Sequence, residues 1–512
     1  MRKMAAKHAA IVSFAIMLPL MGCSMPPEAS RGQSGFPRTP AASTSSLVLR
    51  PHHQQQPLNA HLAFAHGSAP LLGRNGRRSA CANAAPVAMT PLQRAGRLPL
   101  PDPSPMLTRG AATAGRRAQA AAGARSPLAM STAEAPVESK EKEASDFLGF
   151  HHIELWVGNA LQAATFFVAR LGFEPVAYSG LETGSRDVVT HVVRQDKVVF
   201  AFCSPLQVDN NVMGRFQEKH GDAVRDVAIS VSDCKAVFKR AVEAGAEGVS
   251  EPHEVSDEHG SVMMATIRSY GDVLHTFIES KGYDGPFLPN FKAVEEKDPL
   301  ASITPCPELL FIDHVVGNQP DLTMNEVCDW YTKVLGFKRF WSVDDSQVVT
   351  EFSSLRSVVM TDPSENVKMP INEPANGIRK SQIQEYIDYN GGPGVQHIAL
   401  RTDNILHTVT MLRQRGGKFL KVPQSYYDDL RVRLKGSSVQ VNEDLDAIEA
   451  LNLLCDFDDE GYLLQIFMRP IQDRPTLFLE VIQRRGHEGF GVGNFKALFE
   501  AIEREQSARG NL

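Results

Sequence analysis

Three residues carry the strongest chemical signal in the chain. His397 lies in GGPGVQHIAL (Gly391 to Leu400), His314 in FIDHVVGN and Glu480 in TLFLEVIQR. The first stretch reads as a glycine-rich turn feeding a short strand of period two, with Gln396 and His397 on opposite faces. The other two read as apolar strands. A lone strand histidine is ordinarily a hydrogen-bonded core residue. A carboxylate between Leu479 and Val481 is costly to bury unless it is paired or holds a metal. Two histidines and one carboxylate on three separate strands are the ligand set of a facial triad, which leaves coordination positions open on a non-haem Fe(II).

The elements that must position these residues occur twice, as a weak internal repeat. WVGNALQAATFFVARLGFEPV (Trp156 to Val176) parallels VVGNQPDLTMNEVCDWYTKVLGFKRF (Val315 to Phe340). Each reads as a strand, a Gly-Asn turn, an amphipathic helix and Leu-Gly-Phe, with Gly172 and Gly336 at the helix C-cap. DAVRDVAISVSD (Asp222 to Asp233) parallels PGVQHIALRTDN (Pro393 to Asn404), and GDVLHTFIE (Gly271 to Glu279) parallels GYLLQIFMR (Gly461 to Arg469). The repeated unit resembles the βαβββ modules of the vicinal oxygen chelate superfamily. The resemblance implies an α+β fold of two glyoxalase-like half-barrel domains. Laid together, the copies set His314 opposite Leu155, His397 opposite Asp226 and Glu480 opposite Glu279. The first half is then expected to be structural and the second to bear the metal. The competing reading is that neither half binds metal and both are binding modules.

At 512 residues the chain is long enough for two or more domains with full cores. Charged residues at 22% and a net charge of −6 argue against nucleic acid as a partner. The 7 cysteines form no CxxC pair, so neither a thiolate zinc site nor a disulfide framework is indicated, and a reduced compartment fits. From Met1 to Ala133 the only acids are Glu28 and Asp102, while arginine recurs throughout. That is a transit-peptide composition, expected to be disordered. Ahead of it, Arg2, Lys3 and Lys7 precede the apolar run Ala9 to Gly22, which has the form of a signal segment and is short for a membrane span. Together they resemble the bipartite leader of complex plastids. A single long mitochondrial or plastid presequence is the plainer alternative, and a lipoprotein signal at LMGC leaves the Arg-rich tract unexplained. The expected organisation is a leader over 1–145, a first chelate-fold domain over 146–300, and a second over 301–512 that ends in a lid helix. A plastid is the favoured location, with mitochondrion or cytoplasm as alternatives, and no stable membrane span is expected in the mature chain.

Seven motifs in order carry a more specific resemblance: FIDHVVGN, MPINEP, SQIQEY, GVQHIAL, LLQIF, RPTLFLEVIQR and GFGVGNF. They are similar to the 4-hydroxyphenylpyruvate dioxygenase family across the whole second half, and the first half resembles that family's N-terminal domain from about Phe147. Only Gly486, His487 and Glu488 separate Arg485 from Gly489, which is closer to the animal and bacterial form than to the plant form with its insertion there. The resemblance implies one Fe(II) per chain on His314, His397 and Glu480. It implies a polar substrate pocket of Ser357, Asn372, Gln382, Gln396 and Gln465, and an aromatic clamp of Phe467, Phe490 and Phe495 beside Asn494. Ordinary loop hydrogen bonding is the plain alternative for the amides, and core packing for the phenylalanines. The implied reaction takes a 2-oxoacid, 4-hydroxyphenylpyruvate, and O2 to homogentisate and CO2. It serves tyrosine catabolism and, in a plastid, the supply of tocopherol and plastoquinone precursors. A homo-oligomer, dimer or tetramer, is expected. Phe495, Leu498, Phe499 and Ile502 fall at helical spacing, and the helix is expected to lie over the site with Phe495 holding the ring edge toward the metal. Two rivals remain: 4-hydroxymandelate synthase, against which Gly493-Asn494-Phe495 speaks, and a metal-free chelate-fold binding protein.

Overall fold

A computed structural model describes residues 143–343, 354–375 and 377–511. The leader read from the sequence lies outside them up to residue 142, and the described residues belong to one unit. Their short β-branched and aromatic runs form strands that build two sheets. In chain order the first half contributes β1 (Phe147–Trp156), α1 (Ala160–Leu171), β2 (Glu174–Ser179), β3 (Val188–Gln195), β4 (Val198–Pro205), α2 (Asn211–His220) and β5 (Ala223–Val231). It continues with α3 (Cys234–Glu243), β6 (Gly248–Asp257), β7 (Gly260–Arg268), β8 (Leu274–Glu279) and β9 (Lys292–Ala293).

The second half begins with β10 (Ile312–Asn318), α4 (Met324–Trp330), β11 (Lys338–Val343), β12 (Ser354–Thr361), β13 (Lys368–Ala375), α5 (Gln382–Asn390) and β14 (Gly394–Arg401). Then come α6 (Ile405–Gln414), α7 (Gln424–Lys435), α8 (Leu445–Ala450), β15 (Leu454–Phe457), β16 (Tyr462–Phe467), β17 (Phe478–Arg485) and α9 (Val492–Arg509). The strand orders are β6-β7-β8-β5-β1-β4-β3-β2-β9 and β11-β12-β13-β10-β14-β17-β16-β15. Each is a curled half-barrel sheet flanked by helices, so the α+β expectation holds.

Local chemistry sets the helix ends. The Asn159 side chain accepts from the Gln162 amide at the start of α1, and Gly172 ends it at φ 73°. The second copy departs from the simple pattern. After α4 the backbone relaxes into a π turn over Tyr331–Leu335 before Gly336 closes it at φ 70°.

The pairing corrects how the copies match. β8 runs parallel to β5 as β17 runs parallel to β14, so the counterpart of β17 is β8 and that of β16 is β7. His152 faces Ala228 as His314 faces Ala399. Asp226 faces Leu274 as His397 faces Phe478. His314 is therefore matched by His152 rather than Leu155, and Glu480 by Thr276 rather than Glu279. The match of His397 to Asp226 stands. One histidine is thus kept in the first half.

That half has filled the equivalent face with its own side chains. Ala228, Val262, Met264, Ile278 and Leu288 cluster there with Phe287 and Phe291, and the His152 ring lies edge-on to Phe287 at 4.9 Å. Among the described residues no helix is long and apolar enough to cross a membrane.

Candidate metal centre and substrate pocket

The second sheet brings the three residues together through its register. Ala399 on β14 lies opposite His314 on β10 and, on its other side, opposite Glu480 on β17. The small side chain of this central residue leaves room for its two neighbours to converge. His397, two residues earlier on the same strand, joins them. His314 Nε2 and His397 Nε2 each lie 3.3 Å from Glu480 Oε2, and all three residues are buried. Ligand atoms bound to one ion at right angles stand about 3 Å apart, so the spacing suits a facial triad.

Two β-bulges complete the arrangement. On β10 the pairing steps from Ile312 to His314 while β14 advances one residue, so Asp313 is extra. On β14 it steps from His397 to Val395 against Val316 and Gly317, so Gln396 is extra. A bulge cancels the alternation of faces locally. Gln396 therefore lies beside His397 rather than on the opposite face, which corrects the strand reading. Asp313 lies beside His314 in the same way. Asp313 Oδ1 accepts from His314 Nδ1 at 2.8 Å, and Gln396 Oε1 lies 3.0 Å from His397 Nδ1. Oxygen acceptors at both Nδ1 atoms put the imidazole proton there and turn each Nε2 lone pair toward the centre.

The electrostatics fit a cation. Burial pushes Glu480 up, but His314 and then His397 beside it outweigh the effect and hold the carboxyl below its usual range. Burial disfavours charge on His314, yet Glu480 and Asp313 overcome it and raise the imidazole. His397 is lowered, chiefly by burial. Glu480 Oε1 is buried with no hydrogen-bond partner. An orphan carboxylate oxygen beside two correctly turned imidazoles fits a divalent ion.

Of the expected polar pocket residues, Gln396 adjoins His397 and Gln382 adjoins Gln396, while Ser357, Asn372 and Gln465 lie on other strands of the same sheet. Ser357 on β12 faces Asn372 on β13, whose Nδ2 reaches Asn318 Oδ1 at 3.3 Å. Gln382 opens α5, where Ser381 caps the helix, and lies 3.4 Å from Gln396. Gln465 on β16 is buried with its Nε2 unpartnered, and Gly491 packs so close that an added Cβ would sit 2.5 Å from that nitrogen. Phe467 faces Glu480 across the strand pair and is edge-on to His397 at 5.9 Å; Phe490 is edge-on to His314 at 5.1 Å. Asn494 is buried at the start of α9, where Tyr426 donates to its Oδ1 at 2.6 Å and its Nδ2 has no partner. The Phe495 side chain lies outside the described residues.

A small cavity of about 40 Å³ is lined by Gln382, Gln396, Phe478 and Met468 together with Ile502 and Arg509 of α9. Sequence reasoning passed over Asn318, whose buried Nδ2 is unpartnered, and Phe478, which stacks on His397 at 4.9 Å. It also passed over Asp313, although the Asp-His pair in FIDHVVGN carries the signal of a carboxylate behind a ligand histidine.

Comparison with known proteins agrees with this fold. The description "Hydroxyphenylpyruvate dioxygenase, HPPD, N-terminal" matches residues 143–285, and "Glyoxalase/Bleomycin resistance protein/Dioxygenase superfamily" matches residues 311–466. The chain is 57% identical to a 4-hydroxyphenylpyruvate dioxygenase of Danio rerio over 376 residues, covering 73% of this chain and 95% of that protein. It is 56% identical to one of Dictyostelium discoideum over 365 residues, covering 71% and 100% respectively. Among solved structures, a mutant 4-hydroxymandelate synthase of Streptomyces coelicolor is similar at a TM-score of 0.61 and 31% identity, covering 70% of this chain and 98% of that one.

Proposed function

Because the chain belongs to the 4-hydroxyphenylpyruvate dioxygenase family, we propose that it converts 4-hydroxyphenylpyruvate and O2 to homogentisate and CO2 with one Fe(II) per chain held by His314, His397 and Glu480. The observation that carries this reading is the buried triad, with both Nδ1 atoms engaged and one Glu480 oxygen unpartnered. Bound there, Fe(II) supplies the redox chemistry through which O2 and the 2-oxoacid react. The protein's own work is to bind, orient and exclude water. Asp313 and Gln396 hold the two imidazoles in their ligand tautomer. Gln382, Gln396, Asn372 and Ser357 offer donors and acceptors for the keto acid and the phenol, and the free Nε2 of Gln465 is a further donor. Phe467 and Phe490 flank the ring and keep the centre dry.

The test is direct. Protein loaded anaerobically with Fe(II) and then given substrate and O2 should yield homogentisate and CO2 in equal amounts. The structural likeness to a mandelate synthase makes 4-hydroxymandelate the alternative product, since both have the same atoms and the same loss of CO2. Chromatography of the product separates the two.

The Arg-rich, acid-poor leader supports delivery to a plastid and a role in plastoquinone and tocopherol supply beside tyrosine catabolism. A reporter fused to residues 1–145 that stays in the cytosol refutes that placement. The active form is proposed to be a homo-oligomer, which light scattering measures.

A further inference from the structure

Behind the triad lies a buried ion pair that the reaction as described does not use. Asp313 accepts from Arg484 Nε at 3.0 Å on one oxygen and from Arg484 Nη2 at 2.8 Å on the other, in addition to the His314 bond. Arg484 Nη1 donates to the carbonyls of His487 and Gly489. The guanidinium also stands over the Phe490 ring, 5.2 Å from its centroid. Both side chains are 4% exposed.

One planar group thus grips two things: the carboxylate that orients a candidate metal ligand, and the loop that seats a candidate wall of the substrate pocket. The planar guanidinium has the forked geometry for this, whereas a lysine ammonium does not.

The two copies of the fold provide an independent check. With Thr276 in the place of Glu480, Arg484 is matched by Ser280. The bulge residue matching Asp313 is His151. The half without the triad therefore lacks both partners, and the half with it has both.

We propose that Arg484 is a positioning residue that sets the orientation of His314 and the seat of Phe490 together, so that metal geometry and ring placement are coupled. This rests on the reading of His314, His397 and Glu480 as Fe(II) ligands. The effect passes from Arg484 through Asp313 to the imidazole, and from Arg484 through the 487 and 489 carbonyls to the aromatic ring. A lysine at 484 can still neutralise Asp313 but cannot bond both carboxylate oxygens and both carbonyls.

The experiment compares wild type, Arg484→Lys and Asp313→Asn in the full chain. Three readouts are taken: Fe(II) affinity by chelator competition, homogentisate formed per O2 consumed, and thermal unfolding of the metal-free protein. Loss of an outer partner of a ligand histidine ordinarily costs about 10–100-fold in metal affinity or activity. Asp313→Asn should weaken Fe(II) binding by roughly that factor. Arg484→Lys should weaken it less, by about tenfold, while lowering the yield of homogentisate per O2. Arg484→Lys with wild-type affinity and coupling overturns the role, whether or not its unfolding temperature falls, because a purely structural residue alters stability alone. Wild-type protein that takes up no Fe(II) overturns the proposed function itself, and so the two failures are distinguishable.

Discussion

Glu480 keeps one carboxylate oxygen against two imidazoles and leaves the other without a partner, an arrangement that is costly in a buried strand unless a cation completes it. Glu480→Gln preserves the volume and removes the charge. It should lower Fe(II) affinity by more than about 100-fold, beyond the effect of losing an outer partner, and abolish homogentisate formation. Chelator competition and product chromatography check both, and an active Glu480→Gln enzyme removes this residue from the ligand set. Phe490 lies edge-on to His314 and is capped by Arg484, so its ring has contacts on two sides. Phe490→Ala should keep iron binding but cut homogentisate per O2 several-fold, with hydroxymandelate or uncoupled products appearing. Its stability cost should fall below the roughly 3–5 kcal/mol of a Phe→Ala change in a rigid core, since the loop can relax. Denaturant titration and O2 uptake measure the two effects. Unchanged coupling would make Phe490 a packing residue only.

At the scale of elements, the same pair of bulges is present in both sheets and serves different ends. In the second they set Asp313 and Gln396 against the two histidines. In the first they set His151 beside His152, while Asp226 is taken up by the Thr276 amide and hydroxyl. Burial, and then the facing Glu154, push the Asp226 carboxyl from its ordinary 3.8 up to about 7. A carboxyl raised on folding contributes stability that is complete below its unfolded value, about pH 4, and is lost as pH rises through about 7. Asp226→Asn removes this dependence. The variant should therefore gain on the wild type as pH rises from 4 to 8, by an amount on the order of 4 kcal/mol at pH 8. Urea unfolding at a series of pH values tests this, and parallel stability curves for the two proteins would contradict it.

Across the whole molecule the two halves share one apolar core and a buried polar contact. His275 Nδ1 donates to the Val227 carbonyl, so its Nε2 must accept, and Tyr331 donates to it at 2.8 Å. Tyr331 is fully buried in the π turn that follows α4. Tyr331→Phe strands the imidazole nitrogen and should cost about 1–3 kcal/mol in denaturant unfolding, without changing Fe(II) affinity. A neutral result would mean that the contact contributes nothing between the halves. The relatives match the chain over 71–73% of its length while being covered over 95–100% of theirs. A chain beginning at residue 143 should accordingly fold and form homogentisate at the full-length rate. An insoluble or inactive product would show that the leader is needed for folding or activity.

Residue types and their order were enough to identify the second half as the bearer of two histidines and a carboxylate on strands, and to place Gly172 and Gly336 at helix ends. Those are local properties: a buried charge stands out among apolar neighbours, and a left-handed cap demands glycine. The pairing of the copies was not legible. A repeat aligned on WVGN and VVGN sets Leu155 against His314, because sequence similarity follows the turn and helix and not the ladder. Strand register is decided between elements distant in the chain, and a one-residue bulge reverses the faces that alternation predicts. For that reason the place of His152, the nearness of Gln396 to His397 and the Asp313–Arg484 pair emerged only with the sheets assembled. The assembled register likewise decides which side chains share a face in each half and what fills the space above them.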